Sequence, residues 1–143
     1  DKLTEAGAAP SLFALFATGY LAITFDQASS HERYQGIVPL DGESLAEATA
    51  ALEPLGVDAI LLNCAPPDDI TAGMKALAAR ARVPIGAYAH IGRFDPPEWM
   101  FTDEYPPARY HDVAGGWRQL GASILGGCCG TTPDHIAALT ALR

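Results

Sequence analysis

The sequence is poor in positive charge and in long apolar stretches. It contains 9 lysines and arginines against 17 aspartates and glutamates, a formal net charge of −8, and it has no run of basic residues. Such a chain repels the phosphates of nucleic acids and of anionic membranes, so we expect small molecules or other proteins as partners. Its longest apolar stretch, SLFALFATGYLAITF, is broken by Thr18 and Gly19 and is shorter than the roughly 20 residues that a bilayer span needs. We therefore expect no membrane-spanning helix.

Cysteine is also scarce, with three residues: Cys64, Cys128 and Cys129. An odd number cannot pair fully within the chain, and two neighbouring cysteines bridge each other only with strain. A disulfide framework is therefore not expected. The first residues, DKLTEAG, lack the basic region and apolar region of a signal peptide. We predict a cytoplasmic protein with reduced thiols, which serve either as small core residues or as metal ligands.

The chain alternates between short apolar runs and amphipathic segments. Its 143 residues, 49% of them hydrophobic, suit one globular domain. Near-continuous apolar runs predict strands at 19–26, 57–65, 83–92 and 122–129. Helical spacing and capping residues predict helices at 44–55, 67–81, 107–121 and 132–143, and allow a further helix at 3–17. This order predicts an α/β fold with a parallel sheet, either an open doubly wound sheet or part of a (β/α)8 barrel.

Two longer connections, 27–43 and 93–108, follow the first and third predicted strands. Both leave the carboxyl ends of strands, the face on which α/β enzymes assemble their sites, so both are candidate substrate loops. The second contains the aromatic residues Trp99, Phe101 and Tyr105. These side chains either form a lid over an apolar substrate or anchor the loop to its own fold.

All three cysteines fall at the same predicted edge of the sheet. Cys64 ends the second predicted strand, whereas Cys128 and Cys129 end the fourth. Three thiolates at one edge are able to hold zinc tetrahedrally with the fourth position open. Neighbouring residues of a regular strand point to opposite faces, so both sulfurs reach one metal only if the backbone turns, which Gly126 and Gly127 permit. Spacing alone leaves metal binding, redox chemistry and core packing open.

Three other polar residues lie near the ends of predicted elements. His90, at the end of the third predicted strand, is either a fourth zinc ligand or a histidine satisfied by its surroundings. His135, in the first turn of the last predicted helix, is expected to face solvent. Thr24 lies at the end of the first predicted strand, and its role is either a structural cap or a substrate contact.

The segments GGCCGTTPDHI (126–136) and VDAILLNCAPPDDI (57–70) resemble the two metal motifs of the zinc-dependent homocysteine S-methyltransferases. This family includes betaine–homocysteine and S-methylmethionine–homocysteine methyltransferases and the homocysteine domain of cobalamin-dependent methionine synthase. The resemblance covers about residues 19–143 and implies a (β/α)8 barrel. Residues 1–143 would then form the C-terminal half of that barrel domain, about its last four βα units.

The resemblance also implies a reaction and a set of site residues. Cys64, Cys128 and Cys129 would hold zinc, and the homocysteine sulfur would take the fourth position and accept a methyl group from a small-molecule donor, forming methionine. Further substrate contacts would lie at the positions of Thr24, Asn63, Gly126 and Gly127. Betaine, S-methylmethionine, S-adenosylmethionine and methylcobalamin are all donors of relatives, so the donor stays open.

The sequence departs from the family in ways that leave two alternatives. The acidic-Gly-Gly motif and the later Glu that hold the amino acid in the family's first half have no counterpart, and the segment 89–92 reads Ala-His-Ile-Gly where the family tends to have Pro-Asn-x-Gly. One alternative is a zinc-binding half-barrel without activity of its own, which needs a complementary half or a homodimer to cover its sheet edges. The other is a redox-sensing dithiol of Cys128 and Cys129.

Overall fold

The computed structural model describes residues 20–24, 44–95 and 98–142, and residues 20–24, 93–95 and 99 through their backbone alone. A four-stranded parallel sheet contains β1 (Tyr20–Thr24), β2 (Ala59–Asn63), β3 (Ile85–Tyr88) and β6 (Ala122–Leu125), in the order β1-β2-β3-β6. All three neighbouring pairs run parallel. The predicted α/β class and its parallel sheet are confirmed, and β2, β3 and β6 end before their apolar runs do.

In the described part of the chain four helices connect and follow these strands: α1 (Leu45–Leu52), α2 (Pro67–Ala78), α3 (Pro107–Gln119) and α4 (Pro133–Leu139). Short 3-10 turns at Glu53–Leu55 and Thr140–Leu142 extend α1 and α4. Three of the helices begin at a proline, which lacks the N–H that would be unpaired at a first helical position. α1 begins instead after Ser44, whose hydroxyl accepts a hydrogen bond from the Glu47 N–H while the Glu47 carboxylate accepts one from the Ser44 N–H.

The core lies between the two central strands and the helices. The β2 residues from Ala59 to Leu62 are all buried, as expected for a strand covered on both faces. Trp117 on α3 donates a 2.8 Å hydrogen bond from its indole N–H to the Thr71 hydroxyl, which ties α3 to α2. The largest fully buried side chains are Trp117, Tyr110, Leu52, Ile60, Leu62, Ile70, Met74, Leu77 and Pro67.

The edge strand β6 is less well covered than the central strands. It pairs with β3 on one side, and no strand pairs with its other side in the described part of the chain. Ser123 is exposed, and Ile124 and Leu125 are only partly buried. Apolar side chains on an unpaired strand edge are a surface that proteins usually cover.

The connection 93–108 is more regular than predicted. It contains a short antiparallel pair, β4 (Arg93–Asp95) and β5 (Glu98–Met100), before α3 begins. The candidate helix at 3–17 and the candidate substrate loop at 27–43 lie outside the described residues. Among the helices that are described, none is both long and apolar enough to cross a membrane.

Candidate metal centre

Cys64 occupies an unusual backbone conformation at the end of β2. Its φ of 53° lies in the left-handed region, which residues other than glycine adopt rarely and at a cost of about 1–3 kcal/mol. Its N–H still donates to the Tyr88 carbonyl at 3.1 Å, so the sheet pairing with β3 continues up to this residue. The chain then turns away through Pro66 into α2. The strain is placed at the residue that presents the first thiol.

Cys128 and Cys129 belong to residues 126–132, which we call the cysteine loop. The Cys128 N–H donates to the Ala89 carbonyl at 2.9 Å, and the Cys129 carbonyl accepts from the Ile91 N–H at 2.9 Å. The loop therefore stays bonded to the segment that follows β3 after β6 has ended at Leu125.

The glycines of this loop are required by close approach. A Cβ on Gly127 would overlap the Thr131 hydroxyl, and one on Gly130, where φ is 81°, would overlap the Ile91 carbonyl oxygen. Gly126 is less constrained, since the nearest side-chain atom would lie 3.3 Å from its Cβ. The predicted need for glycine thus holds most strongly at Gly127, and it extends to Gly130, which the sequence reasoning did not single out.

The three thiols converge although their strands are not neighbours. β3 lies between β2 and β6, so the strand ends are about 10 Å apart at ordinary strand spacing. The Cys64 and Cys129 sulfurs nevertheless lie 3.9 Å apart, as do those of Cys128 and Cys129. All three sulfurs lie within 4.8 Å of one another. Two Zn–S bonds of 2.3 Å at the tetrahedral angle span about 3.8 Å, so the spacing fits a common metal ion.

The thiols differ in acidity because they interact. A hydrogen bond from the Cys64 thiol lowers the pKa of Cys128 to about 6, with a backbone hydrogen bond at Cys129 adding to the effect. The same interaction with Cys128 raises the pKa of Cys64, and burial raises that of Cys129. These opposite shifts favour ionisation of Cys128 over ionisation of its two neighbours. Thiolate is the form in which cysteine binds metals.

His90 and Asn63 lie beside the thiols without joining them. His90 is buried at 2% exposure, which lowers the pKa of its ring, and a hydrogen bond to the Cys64 backbone opposes that shift. The His90 ring is not among the metal-ligating groups clustered in the described residues, so it fits the satisfied histidine of the two predicted alternatives. The side-chain oxygen of Asn63 is buried and accepts no hydrogen bond within the described part of the chain.

The prediction for His135 is wrong. The side chain is 5% exposed and does not face solvent. Its Nδ1 accepts a hydrogen bond from the Thr132 N–H at 3.1 Å, and its Nε2 donates to the Tyr105 carbonyl at 2.9 Å. His135 occupies the third helical position, where Glu or Gln normally completes a capping box. The Thr-x-x-His spacing was a usable signal for this role.

The aromatic residues of the connection 93–108 differ from one another. Tyr105 is buried and lies under the Arg109 guanidinium, 4.6 Å from its ring centre, so it anchors the connection. Phe101 is 66% exposed, and its ring would come within 3.0 Å of a Cβ on Gly130. The Trp99 side chain lies outside the described residues, and the lid stays a prediction.

The predicted substrate-contact positions lie beside the cysteines in sequence or in the sheet register. The backbone of Thr24 is paired with Asn63 in the sheet register, and the Thr24 side chain lies outside the described part. Asn63 precedes Cys64 directly, and Gly126 and Gly127 precede Cys128. Tyr110, which the sequence reasoning missed, also lies here: its hydroxyl is 2.8 Å from the Gly126 carbonyl oxygen.

Comparison with known proteins gives one consistent result. The family model described as homocysteine S-methyltransferase matches residues 2–142. Methionine synthase of Mycobacterium leprae (strain TN) is 39% identical over 104 residues, 70% of this chain and 8% of that protein. Homocysteine S-methyltransferase 1 of Arabidopsis thaliana is 33% identical over 106 residues, 69% of this chain and 32% of that protein.

A solved structure shows the same relationship. The metallated form of the homocysteine methyltransferase MmuM from Escherichia coli superposes with a TM-score of 0.62 at 26% identity, covering 87% of this chain and 35% of that one. The chain thus spans well under half the length of each of these three proteins.

Proposed function

The chain belongs to the homocysteine S-methyltransferase family, and from that premise we propose that it carries the metal-binding part of a site for methyl transfer to the thiol of homocysteine. The product would be methionine. The single observation that carries this proposal is the convergence of three sulfurs from two separate strand ends, with 3.9 Å between the nearest pairs. Packing alone gives no reason for a strained Cys64 and a glycine-rich turn at the same place.

We propose that the resident ion is Zn²⁺, held by Cys64, Cys128 and Cys129. When bound, zinc would leave its fourth position to the substrate sulfur and keep that sulfur deprotonated at neutral pH. The chain's own part is to hold three soft ligands in place, with the pKa of Cys128 lowered by its neighbours. In the transfer the homocysteine sulfur bonds to the methyl carbon as the carbon's bond to the donor breaks. We assign no catalytic acid or base to the described residues.

We propose that Asn63 and the glycines before Cys128 contact the amino acid part of homocysteine. The buried side-chain oxygen of Asn63 is an acceptor still available to a donor such as an ammonium group, which supports this role. Gly126 and Gly127 would let the substrate approach the backbone closely, and Thr24 would line the neighbouring strand end. The second substrate is a small-molecule methyl donor.

The proposed architecture is the C-terminal half of a (β/α)8 barrel, with the whole of residues 1–143 in that domain. Four parallel strands in chain order and the half-buried edge strand β6 support it. A complementary half would pair with β6, and a second copy of the chain is the alternative cover. Reduced thiols at the site suit a cytoplasmic location.

The test begins with metal content. The purified chain is compared with Cys128→Ser and with the control Ala79→Ser, which adds a hydroxyl at the opposite end of α2 from Cys64. We expect about one zinc per chain in the wild type and the control, and a loss in Cys128→Ser. Absence of zinc from the wild type would contradict the metal centre.

Activity is then measured as methionine formed from homocysteine with betaine, S-methylmethionine, S-adenosylmethionine or methylcobalamin. Each donor is tested with the chain alone and with a family first-half fragment added. Transfer that needs both zinc and Cys128 supports the proposal. Zinc binding without transfer under either condition would reduce it to a metal-binding module.

A further inference from the structure

Tyr110 connects the chain segments that follow β3 and β6. It lies on α3 with a fully buried side chain. Its hydroxyl lies 2.8 Å from the Gly126 carbonyl oxygen and 3.2 Å from the Ala89 carbonyl oxygen. Gly126 is the first residue after β6, and Ala89 is the first after β3. The Tyr110 hydroxyl therefore joins the backbone just after β3 to the backbone just after β6, and the latter leads directly to Cys128.

The residues that carry these two carbonyl groups also make the backbone hydrogen bonds that hold the cysteine loop. The Ala89 carbonyl also accepts the Cys128 N–H at 2.9 Å, and the Gly126 N–H donates to the Ala87 carbonyl at 3.0 Å. Tyr110 thus reaches the same short ladder of hydrogen bonds that fixes Cys128. Loss of the Tyr110 hydroxyl would therefore weaken the backbone hydrogen bonding next to Cys128.

The Tyr110 hydroxyl acts as a donor. Burial raises the pKa of Tyr110, so the phenol keeps its proton at neutral pH. Carbonyl oxygens only accept, and the hydroxyl has one proton. The shorter distance makes the Gly126 carbonyl the main acceptor, with Ala89 sharing the proton.

The ring that carries this hydroxyl is held on two sides. Trp117 packs edge-on against it, with 5.9 Å between ring centres, and His135 does the same at 5.7 Å. His135 is fixed in turn by its hydrogen bonds to Thr132 and Tyr105. Both ends of the cysteine loop, Gly126 and Thr132, are therefore tied to Tyr110, the first directly and the second through His135.

Resting on the proposed metal centre, we propose that Tyr110 is a positioning residue that fixes the cysteine loop in the conformation in which Cys128 and Cys129 face Cys64. In this role its hydroxyl bonds to the carbonyl oxygens of Gly126 and Ala89 and supplies no ligand to the metal. The hydroxyl fixes the conformation of the cysteine loop, and that conformation fixes the positions of the Cys128 and Cys129 sulfurs. Its removal is expected to loosen the site without removing a ligand.

Two variants separate this role from ordinary packing. Tyr110→Phe removes the hydroxyl and keeps the ring against Trp117 and His135. The matched control is Thr71→Val, which removes the acceptor of the Trp117 indole N–H. Both variants lose a hydrogen bond made by an aromatic residue of α3, and Thr71→Val also loses the bond from the Thr71 hydroxyl to the Pro67 carbonyl. Neither partner of Thr71 belongs to the cysteine loop.

The first measurement is amide hydrogen exchange in the metal-free chain. In Tyr110→Phe the amides of Gly126 and Cys128 should exchange about tenfold faster than in the wild type, because a buried hydrogen bond that opposes local opening is gone. In Thr71→Val they should exchange at the wild-type rate. Wild-type exchange in Tyr110→Phe, or equal acceleration in both variants, would overturn the proposal.

The second measurement is zinc affinity, by competition with a chromophoric chelator, together with the thiolate-to-cobalt absorption of the Co²⁺-loaded chain. Tyr110→Phe should bind zinc about 10- to 100-fold more weakly, the usual effect of losing a group that orients a ligand, with an altered cobalt spectrum. Thr71→Val should match the wild type in both. Unchanged affinity in Tyr110→Phe would overturn the positioning role. A wild-type chain that binds no zinc would instead overturn the metal centre, and hydrogen exchange would still decide the role of Tyr110.

Discussion

At Gly130 both the backbone and its surroundings exclude a side chain. The φ of 81° is unfavourable for other residues, and a Cβ would overlap the Ile91 carbonyl oxygen. We expect Gly130→Ala to lower the free energy of unfolding by about 1–3 kcal/mol and to weaken metal binding, because the neighbouring Cys129 must shift. Urea denaturation of the metal-free chain measures the first effect.

Gly116 provides the matched control for that substitution. It lies within α3, its φ is not positive, and a Cβ there would meet no atom within 4 Å. Gly116→Ala should raise the free energy of unfolding by up to about 1 kcal/mol, since alanine is the better helix former. If both alanines changed stability by the same amount and sign, the steric account of Gly130 would be wrong.

Individual residues were predictable from sequence where topology fixes them. The meeting of Cys64 with Cys128 and Cys129 followed from the rule that parallel strands share one carboxyl edge. The left-handed backbone of Cys64 had no sequence signal, because that conformation usually marks glycine or asparagine. Tyr110 was missed because a buried tyrosine on a helix looks like any apolar core position until its acceptors are known.

Among the helices, α1 has the most complete N-terminal cap. Ser44→Ala removes the hydroxyl that accepts the Glu47 N–H and should destabilise the chain by about 1 kcal/mol. Hydrogen bonds from the Ser44 hydroxyl and N–H lower the pKa of Glu47, so the variant should raise that pKa toward its ordinary value. The pKa of Glu47 is lower in the folded than in the unfolded chain. The stabilisation that comes from ionised Glu47 is therefore present at neutral pH and is lost as the pH falls and Glu47 takes up a proton. NMR titration of Glu47 and urea denaturation give the two readouts.

Ser123→Ala controls for loss of a serine hydroxyl outside a cap. Ser123 is exposed on β6, and its hydroxyl donates a long 3.4 Å hydrogen bond to the Ile85 carbonyl. The change should stay within about 0.5 kcal/mol and leave the Glu47 pKa unaffected. If the cap contributed nothing to stability, Ser44→Ala would change the free energy of unfolding as little as Ser123→Ala does.

The main helices and strands were predictable because their hydrophobic periodicity extends over many residues and outweighs the conformational preferences of single residues. Helix starts were accurate at Pro67 and Pro107, where proline marks the first turn. Strand ends were predicted too late at β3 and β6, since apolar residues continue past the last sheet pairing. The β4–β5 pair was missed because strands of three residues are too short to establish a period of two.

For the whole molecule, a bound metal ion would join parts of the chain that are 65 residues apart. A ligand that binds only the folded state stabilises it by mass action, by about 2.7 kcal/mol at one hundred times its Kd. We expect added zinc to raise the Tm by several degrees and EDTA to reverse the shift. Differential scanning calorimetry at several zinc concentrations checks this.

Cys128→Ser is the control for that experiment. Its Tm should respond little to zinc or EDTA, because two cysteines remain at the site. A similar rise in the variant would mean that zinc binds elsewhere on this acidic chain.

The position of β3 between β2 and β6 makes the sulfur cluster sensitive to strand alignment. A slip of β6 by one residue along β3 would turn its side chains to the opposite face. A slip of two residues would restore the faces but carry Cys128 and Cys129 about 6.6 Å along the sheet, well beyond the 3.9 Å that now separates the Cys129 sulfur from that of Cys64. Only the native register completes the cluster. Metal occupancy would therefore report whether two strands that share no hydrogen bond are correctly aligned.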